Sequence, residues 1–430
     1  MRFLHTADWQ IGMTRHYLDG EAQARFTAAR IDAIRRIGAV AGEQECEFVV
    51  VCGDVFETNQ LSRQTVGRAL EALATVPVPV YLLPGNHDPL DPVTIYRSPQ
   101  FVRDCPDHVH VLTDAEPVLV RAGVELIPAP WSGKRPGRDL VGAAVAAALA
   151  GGSMPSAGSD DPVRIVVGHG AVDVLDPDRA NAGAIALAPL EQEIAAGRIH
   201  YVALGDRHSR TSVGESGAVW YSGAPEVTSH REDLPGDVLV VEVEAGTPPV
   251  VTPHHVGTWA FRTLRRELGG AADVSALARE LAAIPDKDRT VVRLALHGAL
   301  GVAAHADLAD LLEAQGDVFA ALSTWDRHTA LRVSADDADL EQLALGGFLS
   351  AAADEMRQLA LAGSDDAGGS VHARDDVDES GSELIDGGAD ADLADEDPLG
   401  WAFTGDAEPD GQSATDALAL LHRFSREVAR

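Results

Sequence analysis

The chain has 430 residues, 67 of them acidic against 34 lysines and arginines, for a formal net charge of −33. That length points to two or three domains, and the charge argues against a broad basic surface that grips nucleic acid through counterion release. No apolar run approaches the ~20 residues needed to span a bilayer. Met1-Arg2-Phe3-Leu4 reads as the start of a strand and not of a signal peptide. A cytoplasmic protein without a membrane partner is therefore expected. Its three cysteines, Cys46, Cys52 and Cys105, lack the paired spacings of a zinc ribbon or disulfide framework and read as reduced thiols.

Apolar runs at 2–4, 48–52, 78–83, 164–167 and 201–204 predict buried strands. Between the first two, Phe26, Ile31, Ile34 and Ile37 recur at helical spacing and predict a helix over 21–44. A second helix over 64–74 completes the βαβ rhythm of a layered α/β domain. Strands are expected at 110–112, 118–120 and 124–128, then a helix at 140–150, while the Gly, Ser and Asp of 151–161 read as a surface loop. Strands at 218–221 and 238–243 are assigned to a second sheet, and the first domain closes at 1–257. The pattern restarts beyond it: strand 261–264, helix 274–284, strand 290–296, helix 304–315 and strand 328–333 make a small α+β domain over 258–340.

A helix over 341–362 follows. The stretch 363–413 reads as an acidic disordered linker, since 364–410 carries sixteen acidic residues against Arg374 alone and accounts for about half of the excess charge. Over 414–430, Leu418, Leu421, Phe424 and Val428 form an apolar stripe that predicts an amphipathic helix. Such a helix either docks in a partner's groove or folds back on its own chain.

Five polar clusters stand at the ends of the five apolar runs: Asp8-Trp9-Gln10, Gly53-Asp54, Gly85-Asn86-His87-Asp88, Gly168-His169 and Gly205-Asp206-Arg207-His208. Singly they are unspecific, because Gly-Asp after a strand is more often a turn than a ligand. Together and in order, each at the carboxyl end of a strand, they place their side chains on one edge of one sheet, where open α/β folds carry their chemistry. Asp54 is then the natural bridging ligand, because a carboxylate can give one oxygen to each of two metals. Asp8, Gln10 and His208 complete one position, and Asn86, His169 and Asp206 the other. Carboxylate, amide and imidazole donors suit Mn²⁺ or Fe²⁺ better than Zn²⁺. His87 is placed to steady phosphoryl charge or protonate a leaving oxygen. Asp88 either orients that imidazole or caps the following turn. Arg15, His16 and Arg207 are candidates for contact with the substrate, arginine being suited to bidentate binding of phosphate.

The order and spacing of these clusters resemble the calcineurin-like metallophosphoesterase superfamily. Leu4-His5-Thr6-Ala7-Asp8-Trp9-Gln10-Ile11-Gly12 with Gly53-Asp54-Val55-Phe56 is similar to the bacterial SbcD-type DNA-repair exonuclease subunits. The likeness covers about residues 1 to 260 and extends more loosely to the module after them. It implies an α/β fold, a two-sheet metallophosphoesterase sandwich flanked by helices and followed by a small α+β capping domain. It also implies two Mn²⁺ ions, with Mg²⁺ or Fe²⁺ as alternatives, and phosphodiester hydrolysis on DNA; Tyr221-Ser222-Gly223 resembles the family's substrate-side loop, which would bring Tyr221 to the substrate, and reads equally as a plain turn. The implied partners are DNA and an SbcC-like coiled-coil ATPase subunit, with a homodimer also open. Three positions depart from the family, which usually has His where Gln10, Asp206 and Glu57 stand. A neutral amide is the weaker donor, so the ion beside Gln10 is expected to bind loosely, while a third carboxylate makes the Asp206 side harder. A small phosphoester substrate and a degenerate scaffold are the competing readings.

Overall fold

The computed structural model describes residues 1–150 and 162–334. The predicted surface loop at 151–161, the helix at 341–362, the acidic linker at 363–413 and the amphipathic helix at 414–430 lie outside the described residues. Residues Met1–Phe261 form one compact unit, and a second begins at Arg262.

In chain order the first unit consists of β1 (Arg2–Thr6), α1 (Gly20–Glu43), β2 (Val49–Cys52), α2 (Arg63–Leu73), β3 (Val80–Leu83), α3 (Pro99–Asp104), β4 (Val109–Val111), β5 (Val118–Arg121), β6 (Val124–Pro128), α4 (Leu140–Leu149), β7 (Val163–His169), α5 (Leu187–Ala195), β8 (Tyr201–Gly205), β9 (Thr211–Val213), β10 (Val219–Tyr221), β11 (Asp237–Glu242) and β12 (Val250–His255). These strands make two six-stranded mixed sheets, in the orders β12-β11-β1-β2-β3-β4 and β5-β6-β7-β8-β10-β9.

The uninterrupted apolar runs have a physical reason: their strands are covered on both faces. In β2, Val49 and Val51 pack with Ile34 and Ile37 of α1 and Leu70 of α2. Val50 and Cys52 point the other way, into a shared core with Ile165, Val167, Tyr201 and Ala203 of the second sheet. The outer face of that second sheet is closed by Val141, Ala144 and Val145 of α4 and Leu190 of α5. The result is a helix–sheet–sheet–helix sandwich. Each fully buried Val, Leu or Ile contributes about 1.5–3 kcal/mol to holding the layers together.

Two sequence expectations are corrected. The five clusters do not leave one sheet: β1, β2 and β3 belong to the first, and β7 and β8 to the second. Nor does 238–243 join the second sheet, since β11 runs antiparallel beside β1, with Leu4 opposite Val240, whereas β10 does pair with β8. Hydrophobic runs report burial, and burial is the same whichever neighbour a strand pairs with. Short or exposed elements, namely α3, α5, β9 and the solvent-facing edge strand β12, carry too little apolar pattern to be read from sequence.

β13 (Ala260–Leu268) begins at the end of the first unit and runs into the second, which also contains α6 (Ala271–Ala283), β14 (Thr290–Gly301), α7 (Val302–Gly316), β15 (Ala321–Thr324) and β16 (Ala330–Ser334). Its sheet has the order β13-β14-β15, with β16 also paired to β14. Leu277 and Leu281 of α6 and Leu308 of α7 pack against Val292, Leu294 and Leu296 of β14.

Candidate metal centre

The two sheets of the first unit bring their carboxyl ends together. The turns after β1 and β2 are tied by backbone bonds, Asp8 N–H to Gly53 O at 3.1 Å and Gln10 N–H to Asp54 O at 2.9 Å. Asp8 (φ 53°), Gln10 (φ 44°), Asp54 (φ 52°) and Asp206 (φ 98°) all have left-handed backbones. That conformation is unusual outside glycine, and its concentration here marks strain held by the surrounding fold. A Cβ on Gly85 would stand 2.2 Å from Asp54 Oδ1, and one on Gly53 2.1 Å from His169 Nδ1. Only glycine lets those two side chains lie against the strand ends.

Asp8, Asp54 and His169, all buried, present ligand atoms within 4.8 Å of one another. Around them, Asn86 Oδ1 is 2.7 Å from His169 Nε2, which is also 3.5 Å from Asp54 Oδ1 and 3.8 Å from Asp206 Oδ1. The Asp206 amide donates to both oxygens of Asp8, at 3.0 and 3.1 Å. Gln10 Nε2 and His208 Nε2 lie 3.2 Å apart. All seven expected ligands therefore gather in one place, Gln10 with His208 and Asn86 with His169.

These residues fit a cation on chemical grounds. His169 Nδ1–H donates to Cys52 O at 2.8 Å, so in the neutral ring the Nε2 lone pair faces three side-chain oxygens with no donor among them. Gln10 Oε1 is buried without a hydrogen-bond partner among the described residues, a costly arrangement unless something positive sits against it. Electrostatics says the same. Burial pushes the Asp8 carboxyl up to about 7, against the pull of His208 and His169, and burial also raises Asp206. Burial works against charge on His169 as well, but Asp54, Asp8 and Asp206 outweigh it and hold the imidazolium up to about 9. His208, buried yet bonded to Glu232 and near Asp8, is likewise raised to about 9. Buried carboxylates and imidazoles crowded together in this way are groups whose mutual electrostatics a bound cation would relieve.

His87 borders the cluster. Its backbone N–H donates to Asp54 Oδ1 at 3.0 Å, its Nδ1–H donates to Glu57 O at 3.0 Å, and its Nε2 lies 3.9 Å from Asp54 Oδ2. The ring is partly exposed, with Nε2 left as its working nitrogen. Asp88 takes the turn-capping role of its two readings: it is fully buried and accepts from Gly85 N–H, Phe56 N–H and Tyr96 O–H at 2.7, 3.1 and 2.6 Å. Burial pushes its carboxyl up to about 6. It anchors the loop that carries His87 and Asn86 and does not touch the imidazole.

Of the substrate candidates, Tyr221 is corrected. It is 1% exposed, donates to Gly170 O at 2.8 Å and accepts from Val172 N–H at 2.9 Å, so it braces the chain after His169. Arg15 directs Nε and Nη2 at Thr228 O. His16 is exposed against Tyr17, and Arg207 is exposed with Nε on Thr211 Oγ1 at 2.9 Å.

Sequence reading missed two residues of the site. Glu232 sits 3.1 Å from His208 Nδ1 in a loop with no strand-end signature to advertise it. Glu57, noticed only as a departure from a family pattern, has its carboxyl raised by burial and a buried Oε2 without a hydrogen-bond partner among the described residues.

A two-sheet sandwich with a buried carboxylate–imidazole cluster at its strand ends defines a metallophosphoesterase domain, a class whose chemistry uses divalent metal ions. Residues 1–210 match the family model described as calcineurin-like phosphoesterase, and this part of the chain is a calcineurin-like metallophosphoesterase domain. Within the chain, 92 residues are 32% identical to the SbcD component of the SbcCD nuclease of Bacillus subtilis (strain 168). That match covers 20% of this chain, and the chain spans about a fifth, 22%, of the relative's length. Among solved structures, the chain is similar to TT1561 of Thermus thermophilus, with a TM-score of 0.36 and 11% identity over 59% of this chain and 98% of that one. It is also similar to a dimetal phosphatase from Danio rerio, with a TM-score of 0.34 and 14% identity over 58% and 98%. Among the described residues, no helix is long and apolar enough to cross a membrane.

Proposed function

We propose that the chain is the nuclease subunit of a cytoplasmic DNA-repair complex, cleaving phosphodiester bonds in DNA and working with an SbcC-like coiled-coil ATPase. The observation that carries the hydrolytic half of this reading is the convergence of Asp8, Asp54 and His169 with Asn86, Asp206, Gln10 and His208. The partial identity to a nuclease subunit supports DNA as the substrate.

Asp54 is shared between two ligand groups, Asp8, Gln10 and His208 on one side and Asn86, His169 and Asp206 on the other. Two divalent ions, Mn²⁺ by preference for so oxygen-rich a donor set, would polarise the phosphoryl oxygens and make an attacking water more acidic. The chain's own residues do the rest. The carbonyls of Cys52 and Glu57 fix the tautomers of His169 and His87, so that each ring turns its Nε2 toward the cluster. When protonated, His87 Nε2 donates to the departing oxygen, a contribution of about 10²–10⁴-fold. Asp88 keeps that ring in register by holding the loop at both ends. Arg207 and His16, exposed beside the ligand turns, supply contacts to flanking phosphates.

The net charge of −33 favours a second reading, in which the same site hydrolyses a small phosphoester. Purified protein with Mn²⁺, offered linear duplex DNA, single-stranded DNA and chromogenic mono- and diesters, separates the two. DNA cleavage lost in Asp54→Ala supports the nuclease. Turnover of small esters with DNA untouched removes it.

A further inference from the structure

The two sides of the metal centre have matched inner donors. In the ligand grouping of the proposed function, Asp8, Gln10 and His208 make one set and Asp206, Asn86 and His169 the other, each set being one carboxylate, one carboxamide and one imidazole. Gln10 alone would weaken its side, but Asn86 balances it. The difference lies one bond further out. His169 Nδ1–H donates to the neutral carbonyl of Cys52 at 2.8 Å. His208 Nδ1–H instead faces the Glu232 carboxylate at 3.1 Å and Thr228 Oγ1 at 2.7 Å, and the Thr228 hydroxyl itself donates to Glu232 Oε1.

Glu232 is held firmly in this role. Its side chain is 5% exposed, and its oxygens accept from the amides of Thr228 at 3.1 and 3.0 Å and of Ser229 at 3.1 Å. The loop is pinned in turn by Arg15 Nη2 on Thr228 O and Arg30 Nη2 on Val227 O, both at 2.8 Å. Arg30 also reaches Trp9 O at 3.3 Å, so one buried guanidinium joins the turn carrying Gln10 to the loop carrying Glu232. A carboxylate behind a ligating imidazole fixes the ring and strengthens its nitrogen as a donor, and loss of such a partner typically lowers metal affinity about 10–100-fold.

We propose that Glu232 is a positioning residue that makes the His208 side the tighter of the two metal positions, so that an ion loads there first. This reverses the order expected from Gln10 alone. It rests on the metal centre of the proposed function and not on its DNA substrate.

The test is a calorimetric titration of metal-stripped full-length chain with Mn²⁺, with bound ions counted by elemental mass spectrometry. Two ions binding to wild type, one tighter than the other, is the expected baseline; a chain that binds none overturns the metal centre itself. Glu232→Gln should weaken the tighter step about 10–100-fold and leave the weaker one unchanged. Equal weakening of both steps, or of neither, overturns the proposal. Should that variant fail to fold, Asn86→Ala and Gln10→Ala decide it: the first should retain the tight step and the second only the weak one, and the reverse pattern contradicts the assignment. No readout here involves hydrolysis, so a failure of the nuclease reading and a failure of this one are told apart.

Discussion

The strands of residues 1–261 and those of the second unit are built from the same apolar residues, yet they end differently. β1, β2 and β7 run into buried Asp8, Gln10, Asp54 and His169, and β8 leads on to Asp206 and His208. In the second unit β14 is as thoroughly buried through Val291, Val292, Leu294, Ala295 and Leu296, but Thr290 is its one polar residue among those buried, with its hydroxyl on Asp286 O at 2.9 Å. Left-handed non-glycine backbones follow the same trend: four of the five in the first unit, Asp8, Gln10, Asp54 and Asp206, belong to the cluster, with Glu45 the exception, while the second unit has only Asp286, in a turn, among the described residues. A sheet that only has to be stable buries hydrocarbon and satisfies its polar groups locally. A sheet edge that has to hold ions buries polar groups it cannot satisfy alone and strains the backbone to aim them.

The strongest way to break this contrast is Asp54→Ala. It should strip both ions, seen by elemental mass spectrometry, and with them all measurable hydrolysis. Retention of full metal content would remove Asp54 as the shared ligand. His87→Ala sharpens the contrast from the other side, because it should cut kcat by about 10²–10⁴-fold while ion content stays at the wild-type level. Metal lost in parallel would make His87 a ligand instead.

Leu294→Ala tests the second unit alone. It opens a cavity against α6 and α7 and should cost that unit about 2–5 kcal/mol in chemical denaturation, with ion content unaltered. A change in metal binding would mean that the division between binding and stability is wrong. The most gradual effect, spread over several pH units, concerns a buried histidine that plays no part in ligation. His5 Nε2–H donates to Leu204 O and its Nδ1 accepts from Tyr201 O–H, both at 3.1 Å. Burial drops its pKa to about 3, against a weak opposing bond to Leu204. The folded pKa is below the unfolded one, so the stabilisation is present above about 6.5 and disappears as pH falls toward 3. Relative to His5→Gln, wild type should lose about 1.4 kcal/mol per pH unit across that window. Parallel stability curves for the two proteins would contradict it.

Much of the candidate metal centre was legible because each expected ligand stands near the end of a buried strand, and a run such as Phe48 to Cys52 followed by Gly53-Asp54 is visible in the letters. What was not legible depends on neighbours. The partition of the clusters between two sheets, and the place of β11 beside β1, are decided by pairing, which hydrophobic pattern does not encode. Tyr221 was read toward the substrate only through the likeness of Tyr221-Ser222-Gly223 to a family loop, but its hydroxyl is consumed by Gly170 and Val172. Asp88 offered two roles in sequence, and only three-dimensional contact with Phe56 and Tyr96 selects one. Glu232 had no signal at all, since its importance comes from a loop folding back across His208.

Anomalous scattering from crystals of the Mn²⁺-loaded full-length chain tests the central claim most directly. The account predicts two peaks flanking the Asp54 carboxylate, one against Gln10 and His208 and the other against Asn86 and His169. Peaks elsewhere, or none within coordination distance of Asp54, would contradict it.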